Sequence, residues 1–202
     1  MIIKINPDNP QERLLRKAVE VLAGGGLIAY PTDTCYAIGC DLYNLKGINR
    51  IYQLKRQPLS KPFSIICQDL KNISEYARVG NYAYKVMKRL LPGPYTFVLE
   101  ASRQVPKILQ TKRRTVGIRV PDHPIALGLV SLLGHPIITT TAALPDQEVE
   151  SDPYEIEIKF KPHLELVIDG GIVMPDPSSI IAFFDDVPEV LREGKGDISE
   201  FA

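Results

Sequence analysis

Short apolar or β-branched runs recur along this chain at residues 2–5, 27–30, 63–67, 96–100, 116–120, 137–141, 166–169, 180–184 and 189–191, each three to five residues long. Bounded by glycine, proline and polar clusters, runs of that length predict strands and are too short for buried helices. Amphipathic stretches lie between some of them. Asp8-Asn9-Pro10 predicts a helix start, followed by Leu15, Ala18, Val19 and Leu22 at i, i+3, i+4 and i+7 before Gly24 stops the pattern. Further helices are predicted over residues 45–55, 81–91 and 124–133, ended by Pro58, by Pro92-Gly93-Pro94 and by Gly134. Parallel strands need a crossover of about a dozen residues, and several neighbouring runs leave no room for one. The expectation is a single α/β domain over residues 1–202 with a twisted, mixed (parallel and antiparallel) open sheet. The acidic stretch 144–153, LPDQEVESDP, predicts a mobile loop or lid.

With 45% hydrophobic residues among 202, the chain can bury a sizeable core as one domain. No apolar stretch nears the roughly 18 residues of a membrane span, and the opening MIIKINPDNP carries neither a basic leader nor a cleavage-like site. Cys35, Cys40 and Cys67 are too few, and odd in number, for a disulfide framework. A soluble, cytoplasmic protein in a reducing compartment is expected. Cys35 and Cys40 lack the second ligand pair of a zinc site, so no resident metal is expected. The net charge of zero conceals a separation. Residues 46–120 hold sixteen Lys or Arg against Asp69, Glu75 and Glu100, and residues 121–202 hold four basic side chains against sixteen acidic ones. Such segregation predicts a concave cationic surface that draws phosphate-bearing ligands. The alternative is that the two halves lie against each other and neutralise.

Five segments carry the chemistry. The strand at 27–30 runs into Pro31 and then Thr32, Asp33 and Thr34, a ligand position if this is the carboxyl end of a strand in an open sheet, a capping turn otherwise. Lys55-Arg56-Gln57-Pro58-Leu59-Ser60-Lys61-Pro62 puts three cations in a proline-stiffened loop, although cations at a helix end also answer its dipole. Arg119 ends a strand, where it serves either as a solvated face residue or as a carboxylate binder, and Asp122 is the expected cap of the following helix. Thr139-Thr140-Thr141 ends another strand with three hydroxyls. Ser178-Ser179 opens the run at 180–184, and Arg192 precedes Gly194 as one of the few cations of the acidic half. GxxxxGKS/T, GxGxxG, GxSxG and HExxH are all absent. Any catalysis must rest on positioning and cationic charge.

Taken in order, PTDTCYAIGCD, KRQPLSKPFS, LPGPYTFVL, TVGIRVPDHPIA, ITTTAA, PSSII and VLREGKGD resemble the YrdC/YciO family over most of the chain, and its YciO subgroup most. The resemblance implies a YrdC-like fold with a concave cationic surface. It also implies L-threonylcarbamoyl-AMP synthesis from L-threonine, bicarbonate and ATP (with Mg²⁺), releasing pyrophosphate, as the first step of threonylcarbamoyladenosine formation in tRNA. Thr32, Thr34, Tyr36 and Arg119 would then surround threonine. Lys55, Arg56, Lys61, Thr139, Thr141, Ser178 and Arg192 would lie along the nucleotide, and Lys55 and Arg119 would be the catalytic cations. This chain departs from the active branch's Lys-x-Arg at Gln57, from its Ser-x-Asn at Thr141-Ala142-Ala143, and from its frequent histidine near Ile66. The rival expectation is a non-catalytic paralogue that binds double-stranded RNA, tRNA or ribosomal RNA through the cationic segment 46–120.

Overall fold

The computed structural model describes residues 1–201. Eleven strands and six α-helices alternate irregularly: β1 (Ile2–Lys4), α1 (Glu12–Ala23), β2 (Ile28–Pro31), β3 (Tyr36–Gly39), α2 (Leu45–Lys55), β4 (Ser64–Ile66), α3 (Leu70–Tyr76), β5 (Ala77–Arg78), α4 (Asn81–Leu90), β6 (Tyr95–Ala101), β7 (Thr115–Arg119), α5 (Pro124–Leu133), β8 (Ile137–Thr141), α6 (Pro153–Phe160), β9 (Leu166–Asp169), β10 (Ser179–Phe184) and β11 (Val187–Arg192). They form one sheet in the order β1-β9-β2-β3-β8-β4-β7-β6-β10-β11, with β5 on β6. The sheet is mixed, as expected. β1/β9, β2/β9, β4/β7 and β6/β10 are parallel, whereas β2/β3, β3/β8, β4/β8, β6/β7 and β10/β11 are antiparallel. Among the described residues no helix is long and apolar enough to cross a membrane.

Strand periodicity divides the interior into two cores. Along β2, Ile28 and Tyr30 face a core shared with Leu15, Ala18 and Leu22 of α1 and Ile125, Leu129 and Val130 of α5. Leu27 and Ala29 alternate to the other face, where Ile48 and Ile51 of α2, Met87 of α4 and Phe160 of α6 pack. A central strand covered on both faces reads as a continuous apolar run, which explains why residues 27–30 show no polar alternation.

Four expectations need correction. The helix expected from Asp8 begins at Glu12 with Gln11 as cap, because the Asn6 side chain takes the Asp8 and Asn9 amides into a preceding turn. Asp122 does not cap α5; His123 occupies that position ahead of Pro124. The loop expected over residues 144–153 ends early, since Asp152 accepts from the Tyr154 amide at 2.8 Å and opens α6. Strand β3, the partner of β2 in a hairpin, is absent from the sequence expectation, as are helices α3 and α6 and the short strand β5.

The hairpin fits tightly against β8: a Cβ built on Gly39 would stand 2.2 Å from the Ile138 carbonyl oxygen. Because that neighbour is backbone inside a sheet, it yields only if the strands part. Gly39→Ala is expected to lower the unfolding free energy by about 1–3 kcal/mol; the check is a denaturant titration in which the midpoint falls with an unchanged slope.

Candidate functional site

The β2–β3 turn is built by one hydroxyl. Thr32 Oγ1 donates to the Cys35 carbonyl at 2.7 Å and accepts from the amides of Thr34 and Cys35, both at 3.2 Å. This turn raises Asp33 and Thr34 toward the last residue of β7. There Arg119 Nη2 donates to Asp33 Oδ1 and to Thr34 Oγ1, both at 2.9 Å. The ion pair is buried, with side chains 7% and 9% exposed, which settles against a solvated Arg119. Asp33 is held further by the Asp122 amide on Oδ2 at 3.2 Å, and Lys195 Nζ donates to its carbonyl at 2.6 Å. Arg119 Nε is buried and has no hydrogen-bond partner among the described residues.

A second cationic centre forms at the end of β11. Arg192 donates through Nε and Nη2 to the Ser178 carbonyl at 3.0 and 2.7 Å, and through Nη2 to Ser178 Oγ at 3.2 Å. The Ser178 hydroxyl also meets Thr96 Oγ1 at 2.8 Å. Burial, and after it the neighbouring charge of Arg119, draws the Arg192 pKa below its ordinary value. Ser179 does different work: its hydroxyl donates to the Gly196 carbonyl at 2.6 Å and accepts the Gly194 amide at 3.0 Å, which folds the chain after β11 onto Ser178.

Between the two arginines lies a cleft of about 180 Å³, lined also by Thr139, Thr140, Thr141, Ser178, Thr96, Ser64, Gln57 and Cys35. Strand pairing gathers these residues from distant segments, with Ile66 opposite Arg119, Ser64 opposite Thr139 and Thr96 opposite Ile180. Through Pro62, Ser64, Thr96 and Ile180 the cleft adjoins an apolar recess of about 500 Å³ containing Val98, Leu191 and Phe184. The Arg113 guanidinium sits 5.3 Å from the centre of the Phe184 ring.

Of the residues expected from sequence, Arg119, Thr139, Thr141, Ser178 and Arg192 line the cleft, and Thr34 reaches it through Arg119. The others lie elsewhere. Lys55 ends α2, where Nζ donates to the carbonyls of Thr141 at 3.1 Å and Ala143 at 2.6 Å, bracing the exit of β8; burial lowers its pKa. Arg56 takes a left-handed conformation, φ 45°, as the C-cap of α2 and faces a separate pocket beside Arg50, Lys159 and His163. Lys61 is exposed, and its carbonyl accepts from the Gln57 side chain. The Tyr36 hydroxyl donates to the Gly171 carbonyl at 2.7 Å and accepts the Gly170 amide at 3.1 Å, so it fixes the loop after β9. Thr32 is spent on its own turn. Thr140, the middle hydroxyl of the expected trio, lines the cleft too, whereas sequence reasoning missed Ser64 and Thr96; the one available signal was Thr96, a hydroxyl between the core residues Tyr95 and Phe97.

Comparison with known proteins agrees with this architecture. Residues 20–194 match the Sua5–YciO–YrdC family, described as "Telomere recombination". YciO of Escherichia coli K12 is 43% identical over 199 residues, covering 98% of this chain and 97% of that one. Threonylcarbamoyl-AMP synthase of Mus musculus is 36% identical over 157 residues, which is 78% of this chain but only 55% of the mouse protein. The crystal structure of E. coli YciO superposes with a TM-score of 0.95 at 42% identity, covering 100% of this chain and 99% of that one. That of P. abyssi Sua5 complexed with L-threonine gives 0.92 at 29% identity over 99% of this chain and 59% of the archaeal one. The chain therefore belongs to the Sua5–YciO–YrdC family.

Two outcomes follow. Asp33→Asn leaves Arg119 buried without its counter-charge and is expected to lower stability on the order of 3 kcal/mol, read by chemical denaturation. For His123, burial outweighs the opposing pull of Asp33 and Asp122 and depresses its pKa below 6.5. The folded state then binds fewer protons than the unfolded chain, so stability is present above pH 6.5 and is lost as pH falls through the folded value. A histidine NMR titration checks the direction.

Proposed function

We propose that the cleft binds the carboxylate of L-threonine at Arg119 and the nucleotide of ATP beside Arg192, for synthesis of L-threonylcarbamoyl-AMP. The observation that carries this reading is the buried Arg119 Nε, without a partner while Nη2 is fixed by Asp33 and Thr34. A buried guanidinium N–H finds an acceptor or costs its desolvation, and a carboxylate suits it best. The complex of P. abyssi Sua5 with L-threonine, a structural neighbour at TM-score 0.92, supports the choice of amino acid. A volume of about 180 Å³ suits an amino acid rather than a whole nucleotide. The base of ATP would therefore extend into the adjoining recess over Ile180, Leu191 and Phe184.

In the proposed reaction the threonine amine condenses with bicarbonate, losing water, to give a carbamate. A carbamate oxygen then attacks the α-phosphorus, the bond from that phosphorus to the bridging oxygen breaks, and pyrophosphate leaves. Two anions are brought together, so the protein must supply positive charge already in place. Arg192 meets this need: it is anchored to Ser178, and the burial and, after it, the proximity of Arg119 that lower its pKa are both offset by an anion lying between the two. Lys55 would act from behind β8, holding the Thr141 and Ala143 carbonyls and with them the hydroxyls of Thr139 and Thr141. Mg²⁺ arriving with the nucleotide would be carried by its phosphate oxygens. Gln57 places an amide at the cleft wall where a cation would speed the reaction, and a missing stabiliser of this kind lowers rate on the order of a hundredfold. Duplex RNA is the weaker reading for this cleft, because Arg119 is buried and bonded to Asp33 and Arg192 is bonded to Ser178, around a space of about 180 Å³ that suits a small ligand better than a phosphate backbone.

The expected outcome is pyrophosphate release that requires both L-threonine and bicarbonate, reduced on the order of a hundredfold by Arg192→Gln. ATP turnover indifferent to both co-substrates sinks the assignment. Calorimetry with L-threonine alone separates binding from turnover.

A further inference from the structure

A second concentration of positive charge lies outside the cleft, in the connection from β6 to β7. No acidic residue occurs between Glu100 and Asp122, yet Arg103, Lys107, Lys112 and Arg114 all face one pocket of about 750 Å³. Elsewhere at the surface Arg16, Arg50, Arg78 and Arg89 pair with Glu12, Glu165, Glu100 and Glu200, whereas Arg13, Arg56 and Arg113 have no carboxylate partner among the described residues. Among the described residues the four pocket cations form no ion pair and no side-chain hydrogen bond.

The segment that carries them is firmly built. Val105 and Leu109 are buried in the core. Ser102 Oγ donates to the Glu75 carbonyl at 2.7 Å, Gln110 Nε2 donates to the Val105 carbonyl at 2.8 Å, and the Thr111 and Thr115 hydroxyls meet at 2.7 Å. Arg114 is pinned in a left-handed conformation, φ 57°, between its amide on the Thr111 carbonyl at 2.9 Å and its carbonyl on the Ala101 amide at 2.7 Å. The loop's polar groups are satisfied inward, while its cations stand around the pocket with only each other for company. Like charges gathered around one concavity are eased by an anion that enters among them.

The geometry points to a second anion site in this pocket, taking a condensed phosphate: pyrophosphate, tripolyphosphate or the phosphate tail of a nucleoside polyphosphate. Several closely spaced charges on one small ligand match several cations around one concavity, and the volume exceeds what a single phosphate fills. The site is independent of the cleft reading, since neither Arg103 nor Lys107 lines the cleft or its apolar recess.

The test is calorimetric titration of the full chain with tripolyphosphate at low salt, for the wild type, for Arg103→Gln/Lys107→Gln and for the cleft variant Arg192→Gln. Both residues of the double variant are exposed, so folding is expected to persist, and circular dichroism verifies it. Loss of two charge-assisted contacts is expected to weaken the tripolyphosphate binding event at this pocket roughly tenfold or more in the double variant, whereas Arg192→Gln leaves that event in place and affects only binding at the cleft. A thermal shift gives an independent readout: tripolyphosphate should raise the wild-type transition more than sulfate does at equal ionic strength, and this margin should vanish in the double variant. ATP and tripolyphosphate titrations distinguish a nucleotide tail from a free chain, since a tail source requires ATP to lose affinity in the double variant as well. Equal binding by wild type and double variant, equal protection by sulfate, or duplex RNA binding at these residues without tripolyphosphate binding would each overturn the proposal. Failure of the cleft reading shows differently, as loss of threonine binding or co-substrate dependence with this site intact.

Discussion

The ion pair between Arg119 and Asp33 is the contact on which the site depends. It joins the turn of the β2–β3 hairpin to the carboxyl end of β7, two segments far apart in sequence and separated in the sheet by β8 and β4. A buried pair of this kind is weak evidence for stability in general, because desolvation offsets much of the attraction. Its value here is geometric. Asp33 takes one end of the guanidinium, Thr34 shares it, and the orientation of the remaining Nε follows. Arg192 lies close enough to feel Arg119, so the two cations are kept near each other by bonds to Asp33 and Ser178 rather than by mutual attraction.

Much of the architecture is legible in the sequence because the strands that build the sheet are short, apolar and sharply bounded. The elements that escaped are those whose signal is local and weak. β3 follows β2 after a turn whose hydroxyls read as a ligand position, so the return strand was hidden behind the motif that made the segment interesting. α6 buries Ile156 and Phe160 yet exposes Tyr154 and Ile158, which blurs the apolar stripe that identifies a helix. The missed cap at Gln11 has a similar origin: Asn6 competes for the amides that Asp8 and Asn9 offer.

The candidate site was legible by residue type and less so by direction. Strand ends carrying Arg119, Thr139, Thr141, Ser178 and Arg192 do converge on one cleft. The cationic loop after α2 behaves otherwise. A left-handed Arg56 turns the chain there, so Gln57 reaches the cleft while Arg56 faces away from it. Neither the turn nor the role of Lys55 in holding two carbonyls has a signature in spacing or composition. The serine pair shows the same limit at smaller scale: Ser178 serves the cleft and its neighbour Ser179 serves the backbone, a division set by strand alternation and by the fold of residues 194–196.

Strand β8 has a position that bears on how such a protein responds to its ligand. It is the single strand through which the half-sheet β1-β9-β2-β3 is hydrogen-bonded to the half-sheet β4-β7-β6-β10-β11. The cleft opens along this seam, with Thr139, Thr140 and Thr141 as its floor, Cys35 and Ala37 on one bank and Arg119 and Arg192 on the other. Whatever spans the cleft therefore laces the two half-sheets together a second time. Occupancy would be felt less as a local adjustment than as a stiffening of the sheet across this seam, with recognition and mechanical cohesion expressed by the same bonds.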